Sequence, residues 1–221
     1  MSALDAARPV EKPRLRGVLH QFAAATALGA GAVLVAVAPS ARAALAAGLY
    51  AASLVALFTV SATYHTVRWS PRARARMRRA DHASIFVLIA GTYTPIALLG
   101  LPQAQGTRLL LCVWSGAALG ILQSLFWVQA PKVVGAILAI AVGWTLVPYF
   151  STAVHALGAE TFGPLLVGGI AYTLGALAYA TRWPRLSPRV FGYHEVFHAL
   201  TLIGAALHFV AVLNLVRAAA A

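Results

Sequence analysis

The sequence predicts an all-α integral membrane protein, a bundle of seven transmembrane helices with its N-terminus in the cytoplasm and its C-terminus outside. Three observations predict it. Of 221 residues, 61% are hydrophobic and only 10% charged, and the mean hydropathy is +0.80, whereas a soluble domain is nearer half apolar and a quarter charged. Apolar stretches recur at about the twenty-residue length that one bilayer crossing requires. The basic residues sort to alternate connections, as the positive-inside rule demands. A water-soluble enzyme is excluded.

Residues 1–16 read as a basic cytoplasmic tail and residues 17–217 as the transmembrane domain. The first segment, 17–38, ends before Pro39. Together with "ARA" at 41–43 it resembles a signal peptide, but its apolar run exceeds the usual 7–15 residues, so it is kept as a bundle helix. The second, 43–65, ends at His65. The third, 81–100, starts at Asp81, where a helix cap belongs, and Pro95 should kink it, which can open a cavity. The fourth, 107–128, follows Pro102 and carries "GAALG", a small-xxx-small pattern that lets helices approach closely. The fifth, 132–150, follows Pro131. An outer loop with His155 and Glu160 leads to the sixth, 162–180. Pro184 and Pro188 then separate it from the seventh, 193–215.

With seven crossings, one side receives Arg8, Lys12, Arg14 and Arg16, then Arg68, Arg72, Arg74, Arg76, Arg78 and Arg79, then Lys132, and finally Arg182, Arg185 and Arg189. Only Arg42, Arg108 and Arg217 of the 17 basic residues fall on the other. A multi-pass protein of the plasma (inner) membrane follows. The net charge of +12 therefore reads as topology and headgroup contact, with membrane lipid as partner and no nucleic acid. The run "RWSPRARARMRR" reads as a solvated connection that could also hold anionic lipid. The single Cys112 permits no internal disulfide and no cysteine-based zinc site.

Ionisable residues inside a helical bundle are costly and are functional hypotheses by default. Depth sorts them. His65 closes the second segment on the cytoplasmic side, with Ser61 one turn deeper on the same face. Asp81 opens the third segment on that side. His194 and His198, spaced i and i+4 on one face, open the seventh. Topology alone thus brings Ser61, His65, Asp81, His194 and His198 to one level. Three imidazoles with an open fourth position make a catalytic-type zinc site. Asp81 would hold and deprotonate a water, and Ser61 would bond that water or a ligand imidazole. Among the rest, His20 near the cytoplasmic end of the first segment could reach the cluster but is expected rather at headgroups, His82 is expected against a neighbouring helix or headgroups, and His208 in a packed interior or a cavity wall, about 15 Å beyond His198.

"SATYH", Asp81 in "RRADHASIFVLIAGTYTP", and "GYHEVFHALTLIGAALHF" together resemble the haemolysin III family, which belongs with the progestin and AdipoQ receptors and the alkaline ceramidases. The resemblance runs from about the first segment to the end of the seventh. It implies a seven-helix bundle with a cytoplasm-side zinc on His65, His194 and His198, Asp81 at the water and Ser61 supporting it. It also implies lipid amide hydrolysis in some relatives and reported cytolytic, pore-forming activity in bacterial members.

The leading function is then hydrolysis of a lipid amide or ester by zinc-activated water. The alternative is a membrane-perturbing, haemolysin-type or receptor-like protein with structural zinc, although no continuous polar stripe suggests a water-filled monomeric pore. A zinc or proton transporter would place its site nearer the midplane on broken helices. "HEVFH" also spells the H-E-x-x-H of metalloproteases, in which Glu195 would be the base. That reading leaves His65 and Asp81 unexplained, so Glu195 is taken as incidental.

Overall fold

The computed structural model describes residues 13–187 and 189–220. Arg8, Lys12 and Pro188, with most of the tail at 1–16, lie outside the described residues. The helices are α1 (Val18–Ala36), α2 (Ala41–Thr66), α3 (Pro71–Pro95), α4 (Gln103–Phe126), α5 (Lys132–Gly143), α6 (Phe150–Leu157), α7 (Ala159–Thr181) and α8 (Tyr193–Ala218). A π-helical turn, Ile96–Gly100, extends α3. A 3-10 turn, Val147–Tyr149, links α5 to α6, so that these pieces form one span, Lys132–Leu157. Seven spans are long and apolar enough to cross a membrane, and the described residues contain no strand beyond one isolated bridge. The chain is a multi-pass helical membrane protein.

Two boundaries differ from the sequence expectation. The third helix begins at Pro71, not Asp81. Ser70 accepts a hydrogen bond from Ala73 N at 3.4 Å and Pro71 occupies the first turn, which are start signals in their own right. The basic run is therefore helical, since Arg and Ala are strong helix formers. Asp81 sits ten residues inside the helix and caps nothing. The fifth span, expected to stop at residue 150, continues to Leu157 after its break, so exposed His155 belongs to α6 and Glu160 to the first turn of α7, not to an outer loop.

The breaks are satisfied by side chains from neighbouring helices, as a bilayer demands of freed backbone groups. Tyr93 donates its hydroxyl to Gly143 O at 2.6 Å and accepts from Leu146 N at 3.3 Å, bridging the interruption in span five. Pro95, which has no N–H, stands where α3 widens into the π turn. Pro164 likewise cannot bond Glu160 O, and Asn214 Nδ2 of α8 does so instead at 3.0 Å. The interface of α7 with α8 is among the most extensive. It closes because Gly168 and Gly204 leave room: a Cβ there would stand 2.3 Å from His208 and 2.7 Å from Tyr172. Within "GAALG", Gly116 makes room for Val142 and Gly120 for Phe86, as the pattern suggested.

Candidate metal centre

His65 is delivered by the last turn of α2, and His194 and His198 by the first two turns of α8. The separation of i and i+4 puts the α8 pair on one face, with ring centroids 4.6 Å apart. The His65 ring lies 4.7 Å from that of His194 and 5.1 Å from that of His198. One nitrogen from each of the three falls within 4.8 Å of the others, and His194 Nε2 stands 3.2 Å from His65 Nε2. Nitrogens bound tetrahedrally at 2.0–2.1 Å lie about 3.3 Å apart. The His65–His194 pair is already at that spacing, and His198 offers a third nitrogen within 4.8 Å of both. The donor set fits a metal that accepts imidazole.

Asp81, across from α2 on α3, places Oδ2 3.9 Å from His65 Nε2. It lies outside the three-nitrogen group, one shell away. Ser61 stands beside Asp81, close enough for its hydroxyl to act on the carboxyl, whereas Thr63 and Thr66 bond back to their own helix. All five residues expected at one depth are brought together, from three helices.

Glu195 is not incidental. It is 1% exposed, and both of its oxygens are engaged. Oε2 accepts Gly192 N at 2.8 Å, closing the start of α8 as a capping residue. Oε1 pairs with Arg16 Nε from the segment preceding α1. A carboxylate tied to a helix cap and an arginine is not placed to act as a base. The protease reading of "HEVFH" therefore loses its catalytic group.

Arg16 belongs to a strap over the site. Arg14 N bonds Arg189 O at 3.0 Å and Leu15 N bonds Val190 O at 3.3 Å. Gly17 then turns into α1 with φ of 84°, and a Cβ there would meet His65 Cβ at 2.6 Å, so the backbone passes close to a candidate ligand.

Three further residues depart from expectation or escaped it. His20, expected at headgroups, is 2% exposed and stacks on His198 with centroids 3.8 Å apart and planes 5° off parallel. His82, expected against a neighbouring helix or headgroups, is half-buried and lines a cavity beside the cluster. Lys132 donates to Tyr193 OH at 2.8 Å beside the cluster. His20 was within reach of sequence reasoning, because it sits at the same depth on α1. Lys132 was not, since only the fold sets α5 against α7 and brings Lys132 to Tyr193.

The site opens into a cavity of about 210 Å³ that touches Arg78, Asp81, His194 and His198 at one end and Leu146, Phe150 and Leu165 at the other. Its wall follows α3 from Arg78 to Ile96, about 27 Å of helix at 1.5 Å per residue. Below the histidines the lining is chiefly apolar. His208 borders it and bonds Leu165 O at 3.1 Å, which makes it both the packed residue and the cavity wall that were expected.

The chain matches the family model described as "Haemolysin-III related" over residues 9–209. It is similar to "Hemolysin-3" of Bacillus cereus, with 31% identity over 174 residues, covering 79% of this chain and 76% of that protein. It is also similar to "Hemolysin-3 homolog" of Bacillus subtilis (strain 168), with 30% identity over 165 residues, covering 75% and 74%.

Proposed function

The chain belongs to the haemolysin-III related family, and from that premise we propose that it is a metal-dependent hydrolase of a lipid amide or ester. The observation that carries the reading is a juxtaposition. Three convergent imidazole nitrogens and the Asp81 carboxylate beside them stand at the head of a long, chiefly apolar cavity. His65, His194 and His198 would hold the metal, with zinc preferred for an all-nitrogen set with an open position. Zinc, when bound, supplies a water of pKa about 7 and polarises a carbonyl. Asp81 takes the proton of the attacking water on a carboxylate oxygen and returns it to the leaving amine or alkoxide. Ser61 keeps that carboxylate aimed. The apolar cavity binds the acyl chain and excludes bulk water from the cleaved bond. The positive-inside distribution of Lys and Arg supports a cytoplasmic N-terminus, the orientation that this reading takes together with residence in the inner membrane.

Metal analysis of the purified protein beside His194→Ala tests the site, with about one zinc per chain expected in the former and little in the latter. Wild-type protein without stoichiometric metal would end the hydrolase reading. The names of the relatives favour a second reading, membrane perturbation with a structural metal. Dye release from liposomes that survives loss of the histidines would select it.

A further inference from the structure

Two cations at the cavity mouth are not used by the chemistry above. Lys132, at the start of α5, stands 4.2 Å from the Tyr179 ring centroid and 4.6 Å from that of Tyr193, and donates to Tyr193 OH. Arg78 lies three residues before Asp81, on the face of α3 that lines the cavity, and half-buried His82 follows one turn later on that face. His82 is within electrostatic reach of both cations. The ion pairs among the described residues are Arg16–Glu195 and His65–Asp81, so neither Arg78 nor Lys132 is matched by a carboxylate. A cation serving only topology would stay exposed, as Arg72, Arg74 and Arg76 are on the same helix. Lys132 is instead held over two aromatic faces, which fixes the ammonium beside His194.

The local charge is unbalanced. Glu195 is neutralised by Arg16, which leaves Asp81 alone against Arg78 and Lys132, before any divalent ion is added. Paired, desolvated charges are what a bundle tolerates, and the missing partner is an anion. We propose that Arg78, His82 and Lys132 hold the phosphate of an anionic lipid at the mouth of the cavity, with its acyl chains among the apolar residues below. An oxyanion is the shared chemistry of a lipid headgroup and of free phosphate. The apolar walls formed by Phe86, Ile89 and Ala139 select the lipid. This names the substrate class of the hydrolase reading and rests on it.

The test is binding, not turnover. Full-length protein in dodecyl maltoside is titrated with dioctanoyl phosphatidic acid, dioctanoylglycerol and inorganic phosphate, and binding is read by native mass spectrometry beside metal content. Wild type should bind the phosphatidic acid about tenfold more tightly than the neutral glyceride, a typical effect of one charge-assisted contact. Arg78→Gln and Lys132→Gln should each remove most of that preference with metal content unchanged, and Lys132→Arg should restore it. Equal affinity for the two lipids, or a preference unmoved by both glutamine variants, overturns the proposal. Inorganic phosphate displacing the lipid at equal concentration assigns the cations to a free anion and overturns the headgroup assignment. Absence of metal in the wild type sinks the hydrolase reading instead, so the two failures are distinguishable.

Discussion

The two ends of α8 carry polar residues through the same bilayer and use them in opposite ways. Near its start, His194 and His198 face side chains from other helices: His65 of α2, Asp81 beyond it on α3, and the His20 ring of α1. Towards its end, His208 and Asn214 reach the backbone of a single neighbour, bonding Leu165 O and Glu160 O of α7. The second pair braces two helices around Pro164, through Nε2 of His208 and Nδ2 of Asn214. The first leaves donor atoms directed at a common point. A polar residue in a membrane reads as structural when a carbonyl absorbs it, and as a candidate site when side chains from several helices converge on it.

The largest effects should fall at the first end. His198→Ala removes one of three nitrogens and should abolish stoichiometric metal binding, measured by elemental analysis of purified protein. Asp81→Asn should keep the metal and lose turnover by a factor of about 10²–10⁴, the usual range for a positioned acid–base group. Full hydrolytic activity in that variant would sink the role given to Asp81. Glu195→Gln lies between the two behaviours. It unpairs Arg16 beneath the strap while an amide oxygen can still cap Gly192, so it should lower stability by about 1–3 kcal/mol and leave metal content unchanged. A thermal melt in detergent shows the first and elemental analysis the second; loss of the metal without loss of stability would assign Glu195 to the site itself.

The smallest effects belong to the far end. His208→Leu and Asn214→Leu each remove one interhelical hydrogen bond, a loss averaging about 0.6 kcal/mol in membrane proteins. Both should melt slightly early and bind metal normally. Metal loss in either variant would erase the distinction between the two ends, because it would couple the brace to the site.

The seven crossings, and the meeting of Ser61, His65, Asp81, His194 and His198, were legible because both depend on one-dimensional quantities, apolar length and depth along a helix. Asp81 itself was placed correctly for a wrong reason. It was read as the start of a helix that begins at Ser70 and Pro71, since a dense arginine run resembles a solvated connection although its residues favour helix. The interruption after Gly143 was not legible, because the donor and acceptor that satisfy it belong to Tyr93, 50 residues away in sequence. The role of Glu195 as cap and counter-ion was not legible, because its partner, Arg16, lies 179 residues away.

By itself, then, the sequence determined that this chain lives in a bilayer, how many times it crosses, and which residues share a level. Hydrophobic length and charge distribution are additive along the chain and need no partner. Only the tertiary structure decided rotation and neighbourhood: that Glu195 is a cap and a counter-ion, that His20 stacks on His198, and that Lys132 is caged beside His194. Those outcomes depend on which helix faces which, and packing sets that through the close approaches at Gly17, Gly168 and Gly204.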